Sequence, residues 1–159
     1  MTKRHTNFPL PGYQYIPGQT KRPGDDMGPA HIHDCSQVNA QITAQNWFKS
    51  PAFVYALDLF NAQYWWETHE VLELIWIETG KTTNSALFIQ GIIQVAAALV
   101  KNKQGNLAAA LRLSDKGFKK IESHCDQNPD INIQSFKTAV IDYLSTTSDE
   151  VPQIEFTGK

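Results

Sequence analysis

Between Ser50 and Leu144, apolar residues recur at intervals of three and four, the spacing of one buried face of an α-helix. Phe53, Val54, Leu57 and Phe60 predict a first helix over 51–61, started by Ser50 as N-cap and by Pro51 at the first helical position, where its missing N–H costs nothing. Asn61-Ala62-Gln63 predicts a break, because Asn tolerates the left-handed backbone that ends helices. A second helix over 63–79 ends at Gly80, and Thr82 or Thr83 caps a third that runs to about Lys103. From Leu87 to Leu99 that third helix is apolar nearly all round except at Gln90 and Gln94, which makes it the central packing element. Gly91, Ala97 and Ala98 leave little bulk, so a neighbouring helix can approach closely. A fourth helix over 106–124 has Leu107, Ala110, Leu111, Leu113, Phe118 and Ile121 as its apolar members, and a fifth from Asn132 carries Phe136, Val140, Ile141 and Leu144. No repeat and no convincing pair of strands appears, so the fold class is all-α: a small bundle of four to five helices with short connections.

The flanks read differently. Pro9, Pro11, Pro17, Pro23 and Pro29 predict an irregular arm over 1–46, yet Phe8, Leu10, Tyr13, Tyr15 and Ile16 are too apolar for a solvated tail, so part of it should pack on the bundle at 47–148. Residues 149–159, with Pro152, read as an extended tail. His31 and His33 alternate near the arm's end, a tract too short to specify a metal by itself.

Composition narrows the class. The chain has 159 residues, 42% of them hydrophobic, which suits one domain with a sizeable core, and its net charge of −2 gives no electrostatic basis for binding nucleic acid or an anionic membrane. The partner left is a small molecule or another protein. Cys35 and Cys125 form neither a CxxC pair nor a disulfide framework, and prolines rather than an apolar stretch follow Met1–His5, so a cytoplasmic protein without a secretory signal is expected. The apolar run from Ala86 to Val100 falls short of the roughly 20 residues that cross a bilayer.

The candidate chemistry lies on the second helix. At about 100° per residue, Glu67, His69, Glu70 and Glu73 form one polar stripe on a helix otherwise covered by Tyr64, Trp65, Val71, Leu72, Leu74, Ile75 and Trp76. That much apolar area predicts a partly buried stripe. Carboxylates three residues apart sit about 5–6 Å from each other and repel by roughly 3 kcal/mol at an effective dielectric near 20. Three remedies exist: a divalent metal, a cationic side chain such as Arg22 or Arg112, or a proton held by one Glu. With a metal, His69 and Glu73 at i and i+4 are the natural joint ligands, with Glu67 beside them, and Glu70 is a third ligand or a general base of hydrolase type. Without one, Glu67, His69, Glu70, Glu73, Gln90 and Gln94 form a buried hydrogen-bond network that sets helix register, and the protein is a non-enzymatic binding module. Trp65, Trp66 and Trp76 read as core, Trp47 as packing where the arm joins, and Cys125 as a core or boundary residue. Trp66 falls between Glu70 and Glu73 on the helical wheel, where it could wall a ligand site.

Taken together, Asp58-Leu59-Phe60-Asn61, then Tyr64-Trp65-Trp66-Glu67-x-His69-Glu70-x-x-Glu73-x-x-Trp76, then Phe88-x-Gln90-Gly91-Ile92-Ile93-Gln94-x-Ala96-Ala97 and Gly105-Asn106 resemble the domain of unknown function 309, found in bacteria and archaea. Tyr15-Ile16-Pro17-Gly18 and Arg22-Pro23 resemble the arm of a longer subgroup. The resemblance covers roughly residues 13–120 and implies a helical bundle in which the His/Glu helix faces the Gln-Gly-x-x-Gln helix. It implies no established activity, and a metal at the His-Glu pattern only as a suggestion. The family often has Gly where this chain has Gln63, which bears on the helix break.

Overall fold

The structure is a computed structural model that describes residues 3–21, 42–146 and 148–158. The described residues form five α-helices, α1 Pro51–Asn61, α2 Trp65–Glu78, α3 Asn84–Lys103, α4 Leu107–Ser123 and α5 Ile133–Leu144, with short 3-10 turns at Trp47–Lys49 and Cys125–Gln127. Among the described residues the extended pairing is limited to one antiparallel bridge, Ile131 with Phe156.

Polar side chains start four of the five helices, α2 being the exception. Ser50 Oγ accepts the Phe53 N–H, Thr83 Oγ1 that of Ala86, Asn106 Oδ1 that of Ala109, and Asn132 Oδ1 that of Ser135. Three helices end alike. After α1, α2 and α3 the chain turns left-handed at Gln63 (φ 69°), Gly80 (φ 96°) and Gly105 (φ 80°). At each, the next amide reaches back to a carbonyl of the last turn: Tyr64 to Leu59, Lys81 to Trp76, Asn106 to Lys101. The predicted break after Asn61 is therefore present, with Gln63 in the strained position.

α3 packs against both α2 and α4, while α1 lies on α2. Phe53, Phe60, Leu72, Phe88, Ile92 and Phe136 belong to one buried cluster, and Trp47 seals it at 1% exposure. α1 is enveloped as thoroughly as α3: from Ala52 to Phe60 only Val54 is not buried. Several apolar residues expected inside are not. Leu74, Leu107, Leu111 and Ile141 are all exposed, because among the described residues no other element covers their helices there. Cys125 is also exposed rather than core. α3, at 20 residues, extends past both ends of the apolar run at 86–100 and is long and apolar enough to cross a membrane, and 67% of its most apolar window is buried inside the fold.

The arm lies on α1 and α2. Asp58, 2% exposed, accepts the backbone N–H groups of His5 (2.7 Å) and Thr6 (2.8 Å) and the Thr6 hydroxyl (2.6 Å), with the Arg4 guanidinium 3.9 Å away. The Tyr55 and Tyr64 hydroxyls donate to the Pro9 and Pro11 carbonyls. On the tail side, Asn61 accepts the Ile154 N–H (2.7 Å) and donates to the Ile154 carbonyl (3.1 Å).

Candidate functional site

α2 carries His69, Glu70 and Glu73 on consecutive turns, and each brings one ligand atom within 4.8 Å of the other two. The helix itself orients the histidine. His69 Nδ1 stands 3.1 Å from the Trp66 carbonyl, an acceptor, so that nitrogen carries the hydrogen and donates. Nε2 is then left facing Glu73 Oε1 at 3.1 Å. A neutral imidazole with its lone pair against a carboxylate is repulsive. Either a proton on Nε2 or a cation between the two relieves it. Nδ1–H fixed by a carbonyl, with Nε2 free, is also the arrangement that metal-binding histidines adopt.

The stripe is graded in burial. The side chains of His69, Glu70 and Glu73 are 24%, 39% and 46% exposed, so the stripe is partly buried, as its apolar neighbours predict, with Glu73 the most open. Glu70 holds its proton more tightly than an ordinary glutamate: desolvation raises its pKa most, the nearby His69 acts against this, and Glu73 and Glu67 raise it further.

Residues 53–113, from α1 into α4, match the family model described as Domain of unknown function (DUF309). This segment belongs to the DUF309 family. No curated protein matches the chain. The DUF309 segment contains α2 and α3 whole, hence the entire cluster.

Other residues singled out from the sequence lie apart from the three converging donors. Glu67 is fully buried and turns toward the arm, where Oε1 accepts the Tyr15 N–H at 2.7 Å. Gln90 takes its hydrogen bond not from the glutamate stripe but from the Lys120 ammonium on α4, at 2.8 Å. Gln94 Oε1 is buried without a partner among the described residues. Trp66 is half-buried and borders the cluster, with the Tyr15 ring edge-on at 4.6 Å and the His69 ring at 6.0 Å. Arg22, His31, His33 and Cys35 lie outside the described residues. A cavity of about 670 Å3 opens elsewhere, between Phe48, Thr83, Ser85 and Gln127.

Sequence reasoning missed the role of Asp58 and Arg4. Asp58 stands in the DUF309 segment amid Tyr55, Ala56, Leu57, Leu59 and Phe60, all buried. A lone carboxylate in so apolar a helix is the signal, since it must find donors when buried. Among the described residues, the arginine that approaches this buried carboxylate is Arg4, rather than Arg112.

Proposed function

We propose that the protein is a cytoplasmic divalent-metal-binding protein with hydrolase-type chemistry at His69, Glu70 and Glu73. What supports the reading is the geometry of His69, whose Nδ1–H is committed to the Trp66 carbonyl while Nε2 faces Glu73 Oε1 at 3.1 Å. Two atoms each bonded to one ion at about 2.0–2.2 Å are separated by about 3.0 Å in octahedral and about 3.4 Å in tetrahedral coordination. A nitrogen and a carboxylate oxygen, with water in the remaining positions, also form a donor set suited to Zn2+, Mn2+ or Fe2+ rather than to a soft ion. When bound, such an ion supplies Lewis acidity.

The chain's own residues do the remainder. Glu73 and Nε2 of His69 hold the ion against α2. Glu70, kept more basic by desolvation first and by its acidic neighbours, is suited to accept a proton from a water molecule attacking a substrate. Trp66 and the edge-on Tyr15 ring wall one end of the cluster and exclude water there. Gln90, already engaged by Lys120, serves helix packing in this reading, and Glu67 serves the arm.

Isothermal titration with Zn2+ and Mn2+ tests the proposal. One saturable ion per chain is expected, weakened at least 30-fold in His69→Ala and in Glu73→Gln and accompanied by a higher melting temperature in the wild type. No heat of binding and no thermal shift would sink it, leaving the His/Glu cluster as a surface ion-pair network in a non-enzymatic interaction module.

A further inference from the structure

We infer, building on the metal site proposed above, that the open face of α2 is an interface between two copies of this chain, closed by the ions the cluster holds. His69 and Glu73, with Glu70 beside them, lie on one side of one helix, so an ion held by that pair keeps its opposite hemisphere free. Trp66, Glu70, Glu73 and Ile77 fall within about 60° of one another along α2, with His69 and Leu74 on either side of that line.

Leu74 and Ile77 are 51% and 50% exposed, directly beyond the cluster. Read from either end, the line runs apolar, acidic, acidic, apolar. A second α2 lying antiparallel across it, about a two-fold axis between Val71 and Leu72, sets Trp66 against Ile77, Glu70 against Glu73 and His69 against Leu74. A two-fold interface requires a patch complementary to itself. This face satisfies that in its apolar positions and violates it in charge, because four carboxylates then meet at the centre.

Two divalent ions, one per copy, neutralise those four charges. Pairing therefore depends on the metal, and by linkage the pair binds metal more tightly than the single chain. A small-molecule occupant of the cluster would leave Leu74 and Ile77 uncovered, which is what favours a second copy.

Sedimentation of the full chain at tens of micromolar, with stoichiometric Zn2+ and with chelator, decides the matter alongside titration calorimetry. The expected result is the mass of two chains with Zn2+ and of one without. Ile77→Ser, an uncharged change at an exposed position, should weaken the dimer at least tenfold while leaving Zn2+ binding by the single chain in place. Zn2+ binding with the mass of one chain overturns the interface and leaves the metal site standing. Absence of Zn2+ binding overturns both. A dimer that persists in chelator, or that Ile77→Ser does not weaken, overturns the metal-closed interface.

Discussion

Gly91 of α3 and Gly117 of α4 meet backbone to backbone: a Cβ added to either would stand 2.7 Å from the other's carbonyl oxygen. Val95 and Ile121 close around the crossing, so neither helix has a soft neighbour to displace. Alanine at either position gains about 1 kcal/mol in helix propensity but forces the helices apart, at about 1–3 kcal/mol. Gly91→Ala and Gly117→Ala should each lower stability, by up to about 2 kcal/mol net, read as a lower urea midpoint at unchanged slope. An unchanged or higher midpoint contradicts the close contact.

Asp58 fastens the arm. Its carboxylate accepts from two backbone amides and a hydroxyl of His5 and Thr6, and hydrogen bonds to a charged group contribute about 1.5–3 kcal/mol each before the cost of desolvation. Asp58→Ala should destabilise by about 2–4 kcal/mol, and limited proteolysis should cut within 3–21 much faster than in the wild type. Equal cleavage rates would mean that Asp58 does not hold the arm.

Glu67 and Glu70 should part company on substitution. Glu67 is fully buried and accepts the Tyr15 N–H, so Glu67→Ala leaves that donor stranded and should cost about 1–3 kcal/mol. Glu70 is 39% exposed beside like charges, so Glu70→Gln should change stability by less than about 0.5 kcal/mol while removing any hydrolytic activity. Chemical denaturation of the two variants side by side distinguishes them. A large loss in Glu70→Gln would assign that residue to structure.

Alkali should loosen the arm through Tyr64. Burial first, and Glu67 second, raise its pKa above the ordinary 10.0, and its hydroxyl donates to the Pro11 carbonyl. A phenol whose folded pKa is raised binds its proton more tightly folded than unfolded. Its stabilising effect is thus complete below pH 10 and is lost as the pH rises through the elevated value. Stability measured from pH 8 to 11 should fall along this limb, and Tyr64→Phe should flatten it. If the variant falls as steeply as the wild type, another group is responsible.

Much of the helical fold was legible in the chain because its signals are local. The interval of three and four, Ser50-Pro51, the break after Asn61, Thr83 and Gly80 each act within a turn or two of themselves, and the observed helices begin and end within about two residues of the predicted limits. Gly91 likewise announced a close approach, though not that Gly117 lies opposite. The candidate site was half legible. Glu73 stands three residues after Glu70 and four after His69, the spacings at which helix side chains meet, so it approaches both whatever the rest of the chain does.

Burial and partnership were decided elsewhere. Glu67 shares the stripe's periodicity, yet the arm, some fifty residues earlier, covers it and supplies its donor. Gln90, for which the stripe was one possible partner, accepts instead from Lys120, because α4 crosses α3 at the two glycines and brings that ammonium within reach. Leu74, Leu107, Leu111 and Ile141 have the spacing of core residues and lie in the open, since periodicity marks a face without saying what covers it. The amino-acid order alone determined the helices and the grouping of donors along α2, both short-range consequences of backbone geometry. Which of those donors is sealed, which is open and what each one touches belonged to the tertiary structure, because desolvation and long-range hydrogen bonds depend on segments brought together only by folding.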